Sequence, residues 1–370
     1  MNPIPTRRRA LRLIATALAV AATAGPAFAS DDGFRSGKLF ISTNSPAGNA
    51  VLVYERSQTG PAVLLGGVPT QGLGTGAGLG SQGAVTLSRN GRWLFVVNAA
   101  SNTVTTFEVG GRGLELKSVV DSGGLTPTSV TEYGGLVYVL NAGGSGNVTG
   151  FRNDDGVLQQ IPGAVGSLSA NTGTAPAQVG FSDSGDLLVV SERTTNRLTS
   201  FLVKSDGTLD GKTVTPSAGA VPFGFAFNKR DVLIVSEAVA STVSSYRFAD
   251  ASAVPQVVTA SLPTTQGAAC WVAVTPNGKF AFSANATTSS VSSFSIAGDG
   301  GLSLVAGAAA VTGANAGALD LAVSRSGTQL HVFANRGLQI ASYTIASDGT
   351  LAPLGSVGGM PAGSAGLAAN

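Results

Sequence analysis

Apolar and polar positions follow one pattern that returns along most of the chain. From Gly83 an alternating segment runs to an Asn90-Gly91 turn. A continuous apolar stretch, Trp93-Leu-Phe-Val-Val97, then closes on polar Asn98, and Val104 to Val109 alternates again after a short loop. Alternation with period two, broken by Asn-Gly signals, predicts short antiparallel strands joined by tight turns. The pattern returns over residues 128–151, 177–201, 223–246, 270–294 and 319–343. After each comes a tail such as Asp206-Gly-Thr-Leu209, Gly300-Gly-Leu302 or Asp348-Gly-Thr-Leu351, which predicts a fourth strand. Four strands per repeat, with a turn between each pair, is the unit of a β-propeller blade.

The polar residue that ends the second strand serves as a ruler: Asn44, Asn98, Asn141, Glu192, Glu237, Asn285 and Asn335, at intervals of about 43 to 54 residues. Seven marks predict an all-β fold of seven four-stranded blades. The widest interval contains the segment Gly72 to Gly80, expected to be a flexible loop between blades that overhangs the mouth of the channel. It lacks the strand-to-helix setting and the Lys-Ser/Thr ending of a phosphate-binding glycine loop. Lys38-Leu-Phe-Ile-Ser42 enters as a second strand with no first strand before it, and Gly363 to Ala368 has the pattern of the missing one. One blade shared between the two end segments closes the ring and removes open sheet edges.

Composition adjusts this picture at the N-terminus. Arg7, Arg8, Arg9 and Arg12, an apolar run from Leu13 to Val20, and Ala27-Phe28-Ala29 make a targeting pattern over residues 1–29, of the secretory or twin-arginine kind. The apolar run is too short for a membrane span. Its removal leaves residues 30–370 as a single domain, expected to be periplasmic or secreted, monomeric, and without a transmembrane segment. The formal net charge of +2 includes four of the 22 basic residues in that segment and none of the 20 acidic ones, so the remainder stands at 18 against 20. Nucleic acid is not an expected partner, since its binding needs a clustered basic face. The single Cys270 allows no internal disulfide.

In a propeller the first strand of each blade lines the channel and starts at the face where the second strand ends. The candidate site is therefore that mouth. Glu192 and Glu237 replace Asn in neighbouring blades and are candidates for acid–base work, or else for capping loop amides as Asn does elsewhere in the column. Arg193 and Arg197 could clamp an anionic group, or lie in exposed ion pairs. Gln178, Trp271 and Asp320 on the first strands, with Asn98, Asn141 and Asn285 on the second, are candidate substrate contacts. Cys270 reads as a small buried residue. His331, the only histidine, falls in the packing column of Phe95, Tyr138 and Phe282. A histidine-based triad or zinc site is thereby disfavoured, and no metal or cofactor is expected.

The texture of the repeat, in Thr174-Ala-Pro-Ala-Gln-Val179, Val221-Pro-Phe-Gly-Phe-Ala226, Ala269-Cys-Trp-Val-Ala-Val274 and Leu136-Val-Tyr-Val-Leu-Asn-Ala-Gly143, resembles the seven-bladed β-propeller lactonase family. That family groups 6-phosphogluconolactonase-like and carboxymuconate-lactonizing proteins. The resemblance implies a lactonase-like hydrolase or lactonizing enzyme that takes a small lactone without metal. Glu192 and Arg193 match the Glu and Arg types expected at its mouth, while the strand starts Ala175-Pro-Ala-Gln178 and Val221-Pro-Phe-Gly224 lack the family's His. The alternative is a non-catalytic exported propeller that binds an envelope partner protein or glycan through its top face.

Overall fold

A computed structural model describes Met1, residues 37–111 and residues 113–370. The targeting pattern expected over residues 1–29 lies, beyond Met1, outside the described residues. The described residues from Gly37 to Asn370 cluster as one compact unit. Among the described residues every regular element is a strand, and these form seven four-stranded sheets. No helix of the described residues is long and apolar enough to cross a membrane.

From the channel outward, blade 2 is Val85–Leu87, Trp93–Asn98, Thr103–Gly110 and Gly113–Asp121. Blade 3 is Pro127–Tyr133, Leu136–Asn141, Asn147–Asp154 and Val157–Ser167; blade 4 is Pro176–Phe181, Leu187–Glu192, Arg197–Val203 and Leu209–Pro216. Blade 5 is Pro222–Phe227, Leu233–Glu237, Thr242–Phe248 and Pro255–Pro263; blade 6 is Ala269–Val274, Phe280–Asn285, Ser290–Ile296 and Leu302–Val311. Blade 7 is Ala318–Val323, Gln329–Ala334, Gln339–Ile345 and Leu351–Gly358. Blade 1 is composite: Ala365–Ala369 pairs antiparallel with Lys38–Ser42, followed by Ala50–Glu55 and Val63–Pro69. The two end segments share a blade as the sequence predicts, and the closing register sets Phe40 opposite Ala368 and Ile41 opposite Leu367. First strands of consecutive blades touch all the way round.

Local chemistry explains the turns. Between first and second strands of blades 2, 4, 6 and 7, the carbonyls of Ser88, Ser182, Thr275 and Ser324 accept from the N–H of Gly91, Gly185, Gly278 and Gly327 at 2.8, 3.2, 2.8 and 2.7 Å. Each glycine has positive φ, between 69° and 81°, which a side chain would resist. Before the fourth strands, Asp206 and Asp348 accept from the backbone N–H groups of Thr208 and Thr350 at 2.8 and 3.0 Å, fixing the Asp-Gly-Thr turn.

The core lies between blades. Tyr138 and Leu140 of blade 3 pack with Phe181, Leu188 and Val190 of blade 4, and the same arrangement recurs around the ring. Phe95, Tyr138, Phe282 and His331 occupy one second-strand column and are fully buried. Each large apolar side chain so buried contributes roughly 2–3 kcal/mol.

The sequence ruler needs one correction. Asn98, Asn141, Glu192, Glu237 and Asn285 share a register, each opposite the first residue of its third strand. In blade 7 that register position is Ala334, opposite Gln339, and in blade 1 it is Thr43, whose N–H donates to Ala50 O at 2.8 Å. Asn335 and Asn44 lie one residue further on. In blade 1 the chain has already left the strand there, with Asn44 at φ 48°.

Candidate active site in the central channel

The five residues of the polar column are built into the upper face, where second strands end, and are fully buried. Glu192 accepts from Ser169 N at 2.9 Å, Thr195 Oγ1 at 2.8 Å, Thr199 Oγ1 at 2.6 Å and the Ser169 hydroxyl. Glu237 accepts from Gly219 N at 2.7 Å, Ser244 Oγ at 2.6 Å and the Thr242 hydroxyl. A Cβ on Gly219 would stand 2.2 Å from the Glu237 carboxylate, so this close approach requires glycine. Asn98 donates to Thr103 and Thr105, Asn285 to Ser290 and Ser292, and Asn141 to Ser122 O. In blades 2, 4, 5 and 6 the column residue bonds hydroxyls of its own third strand, and in blades 2 to 5 it bonds the loop entering its blade. This geometry supports the capping reading of Glu192 and Glu237.

The upper mouth itself is filled by the chain. The glycine-rich segment, expected to be flexible, is tied down: Asn44 Nδ2 donates to Thr75 Oγ1, Ala77 O and Gly363 O, and Asn44 Oδ1 accepts from Thr75 N. Beyond it, Ser81 and Gln82 enter the channel. Ser81 Oγ donates to Thr128 O at 2.7 Å, Gln82 N to Ala177 O at 3.0 Å, and Trp271 Nε1 to Ser81 O at 3.0 Å. Trp271 and Phe223 pack ring to ring at 4.8 Å, and the Arg193 guanidinium lies 5.1 Å above the Phe223 ring. Arg193 Nε donates to Ala175 O, and burial lowers its pKa. Arg197 stands opposite Glu192 in the strand register but makes no ion pair with it. Cys270 is buried here, and desolvation raises its thiol pKa to about 12, so it rests as the thiol.

Below this plug the channel opens into a cavity of about 360 Å³, within the usual range for a small-molecule site. Gln178 and Asp320 line it, as do Gln82, Thr86 and Thr131; Glu192, Glu237, Arg193, Arg197, Trp271 and the three Asn candidates do not. The wall has a simple logic. Each first strand presents an unpaired edge to the channel, and side chains of the preceding blade cover much of it. Thr86 Oγ1 donates to Val130 O at 2.7 Å, Ser129 Oγ accepts from Val179 N at 3.2 Å, and Thr131 Oγ1 accepts from Phe181 N at 3.3 Å. Gln178 clamps Phe225 with both ends of its amide, at 2.9 and 2.7 Å.

At the next blade this series meets Gly224, which has no side chain to cover Val272. Gln82 does so from across the channel, donating to Val272 O at 2.7 Å and accepting from Val272 N at 3.0 Å. A Cβ on Gly224 would lie 2.2 Å from Gln82 Oε1, so the glycine makes the room that the glutamine fills. The sequence reading missed this clamp. Its signal was the coincidence of a lone Gln after a glycine run with a Gly in the column that holds Gln178.

Asp320 closes the ring of caps by accepting from Gly366 N at 2.9 Å on Oδ2. It is 3% exposed, and it is the one acidic side chain among the described residues lining the cavity. Desolvation raises its pKa to about 7, opposed in part by the Gly366 bond. A carboxyl poised near neutrality on a cavity wall can hold or take a proton in the pH range where enzymes work. Among the described residues no Lys, Arg or His lines the cavity.

Sequence and structure comparisons agree with this architecture. Residues 145–263 match the protein family described as Lactonase, 7-bladed beta-propeller. No curated protein matches the sequence. A candidate 6-phosphogluconolactonase from Bacteroides fragilis superposes with a TM-score of 0.70 at 16% identity, covering 92% of this chain and 100% of that one. The periplasmic gluconolactonase of Pseudomonas aeruginosa superposes with a TM-score of 0.68 at 16% identity, covering 89% and 98%. At such identities the likeness establishes the fold. With the outer half of blade 3 and blades 4 and 5 carrying the sequence match and all seven blades the architecture, the chain is similar to the seven-bladed β-propeller lactonases.

Proposed function

We propose that this protein is a lactonase-like hydrolase that opens a small, uncharged lactone in the lower channel cavity, with Asp320 as general base. The reading rests on the position of Asp320, an acid with one oxygen held by Gly366 N on a cavity wall. In this scheme the Asp320 carboxylate takes a proton from water, and the water oxygen bonds to the lactone carbonyl carbon. The ring C–O bond then breaks, and the proton passes to the departing oxygen, giving a hydroxy acid. Thr131, whose oxygen accepts from Phe181 N, keeps its own proton to donate to the developing oxyanion. A phosphorylated lactone is disfavoured, since the described residues of the wall offer no cation to offset desolvation of its charge. The gluconolactonase likeness makes gluconolactone the first substrate to try. The targeting pattern of residues 1–29 favours action outside the cytoplasm.

The test is hydrolysis of a panel of neutral lactones by the purified protein. Turnover should rise with pH through about 7, as Asp320 ionises. Asp320→Asn should lower kcat by about 10²–10⁴-fold, while Glu192→Gln and Glu237→Gln should act on stability. Full activity in Asp320→Asn, or its loss in Glu192→Gln with the fold intact, would return the chemistry to the upper face. The alternative, a propeller that binds a partner, draws support from the plugged upper mouth. It predicts no turnover on any lactone together with saturable capture of a glycan or envelope protein.

A further inference from the structure

On the lower face, where first strands end, blades 7, 1 and 2 frame a second concavity of about 550 Å³ that includes Arg56, Arg92, Arg325, Asn90, Gly91 and Asn370 in its lining. The three guanidinium groups among its described residues differ in their bonding. Arg92 is held by Glu108 at 2.9 Å and Asp155 at 2.7 Å. Arg325 is exposed and donates from Nη2 to Arg89 O at 2.9 Å, with no carboxylate partner among the described residues. It lies against the turn of blade 2 so closely that a Cβ on Gly91 would stand 2.7 Å from its Nη2.

Arg56 is the anomaly. Only 7% exposed, it donates from Nη1 to Gln329 Oε1, and its Nε has no hydrogen-bond partner among the described residues. None of the described carboxylates forms an ion pair with it. A buried guanidinium without counter-charge and with an unmade hydrogen bond is costly to keep. Burial lowers its pKa, and its charge reaches His331 on the neighbouring blade, whose Nε2 is also buried without a partner among the described residues. A fixed, charged, under-bonded fork beside an exposed, unpaired one is what recognition of a planar or tetrahedral oxyanion requires.

We propose that this concavity is a binding site for a small oxyanion, a carboxylate or a phosphate, held by Arg56 and Arg325. The inference is independent of the lactonase reading, because the two cavities differ in lining and in charge. Isothermal titration of the full chain at low ionic strength, with inorganic phosphate and with gluconate as separate probes, tests it. One or both should bind saturably at one site, and the two titrations tell a phosphate ligand from a carboxylate. Arg325→Gln, at an exposed position, should weaken binding by about tenfold or more, and Arg56→Gln should abolish it. His331 is the only histidine, so its ring resonances report the site by NMR and should shift when the anion binds. Absence of saturable binding up to about 10 mM of either anion, or equal binding by the folded Arg325→Gln protein, overturns the proposal. So does binding that leaves His331 unmoved.

Discussion

Asp320 and His331 sit in adjacent strands of blade 7, and burial moves their protonation in opposite senses. Asp320 goes from an ordinary 3.8 up to about 7, by desolvation. Between those values the folded protein keeps a proton that the unfolded chain has released. This contribution to stability is complete below about 3.8 and fades as pH rises through 7. His331 goes from 6.5 down to about 3, by desolvation and the charge of Arg56. There the unfolded chain takes up a proton that the fold refuses, so stability is lost as pH falls from 6.5 towards 3. The two slopes oppose each other between 3.8 and 6.5. In urea titrations across that window, Asp320→Asn should leave a protein that weakens on acidification, and His331→Gln one that weakens as pH rises. Each slope is at most about 1.4 kcal/mol per pH unit. Parallel pH dependence in the two variants would contradict the assignment.

At the scale of elements, the plug formed by Ser81 and Gln82 is the feature that organises the channel. Gln82→Ala leaves the N–H and C=O of Val272 unpaired, at a cost of about 1–3 kcal/mol for each group water cannot reach. Denaturant midpoints should register this loss, and Gly224→Ala should add a clash with Gln82 Oε1 and, at 2.7 Å, with Cys270 O. The strands, their turns and the seven blades were readable from the sequence because each rests on contacts within one repeat: alternation, an Asn-Gly turn, a polar strand end. The plug was not, since Gln82 and Val272 are 190 residues apart and no periodicity relates them. The same holds for the candidate site. Gln178 and Asp320 were visible as members of the channel ring, yet the sequence could not show that the upper mouth is filled and that only the lower cavity stays open to them. Glu192 and Glu237 stood out by type, but their partners Ser169 and Gly219 lie in loops whose course depends on the packed ring.

For the whole molecule, stability depends on the seam in blade 1. Deleting residues 364–370 removes the inner strand opposite Lys38–Ser42 and the backbone N–H that Asp320 binds at Gly366. The result should be loss of cooperative unfolding and aggregation through the bared edge. Cys270 provides the readout: buried and held as a thiol in the ring, it should resist a thiol reagent until global unfolding, and should react quickly in the shortened protein. The seam also orders events in time. Lys38 N reaches Asn370 Oδ1 across a separation of 332 residues, so the blade synthesised first is the last to be completed. A growing chain passes through its whole synthesis with one sheet unfinished, and closure of so long a loop is a slow, late step. Transport of a nascent, unfolded chain would postpone that step to the far side of the membrane. Transport of the folded protein would require the ring to be shut beforehand, so the state of this one blade would separate the two routes if residues 1–29 act as the export segment that the sequence predicts.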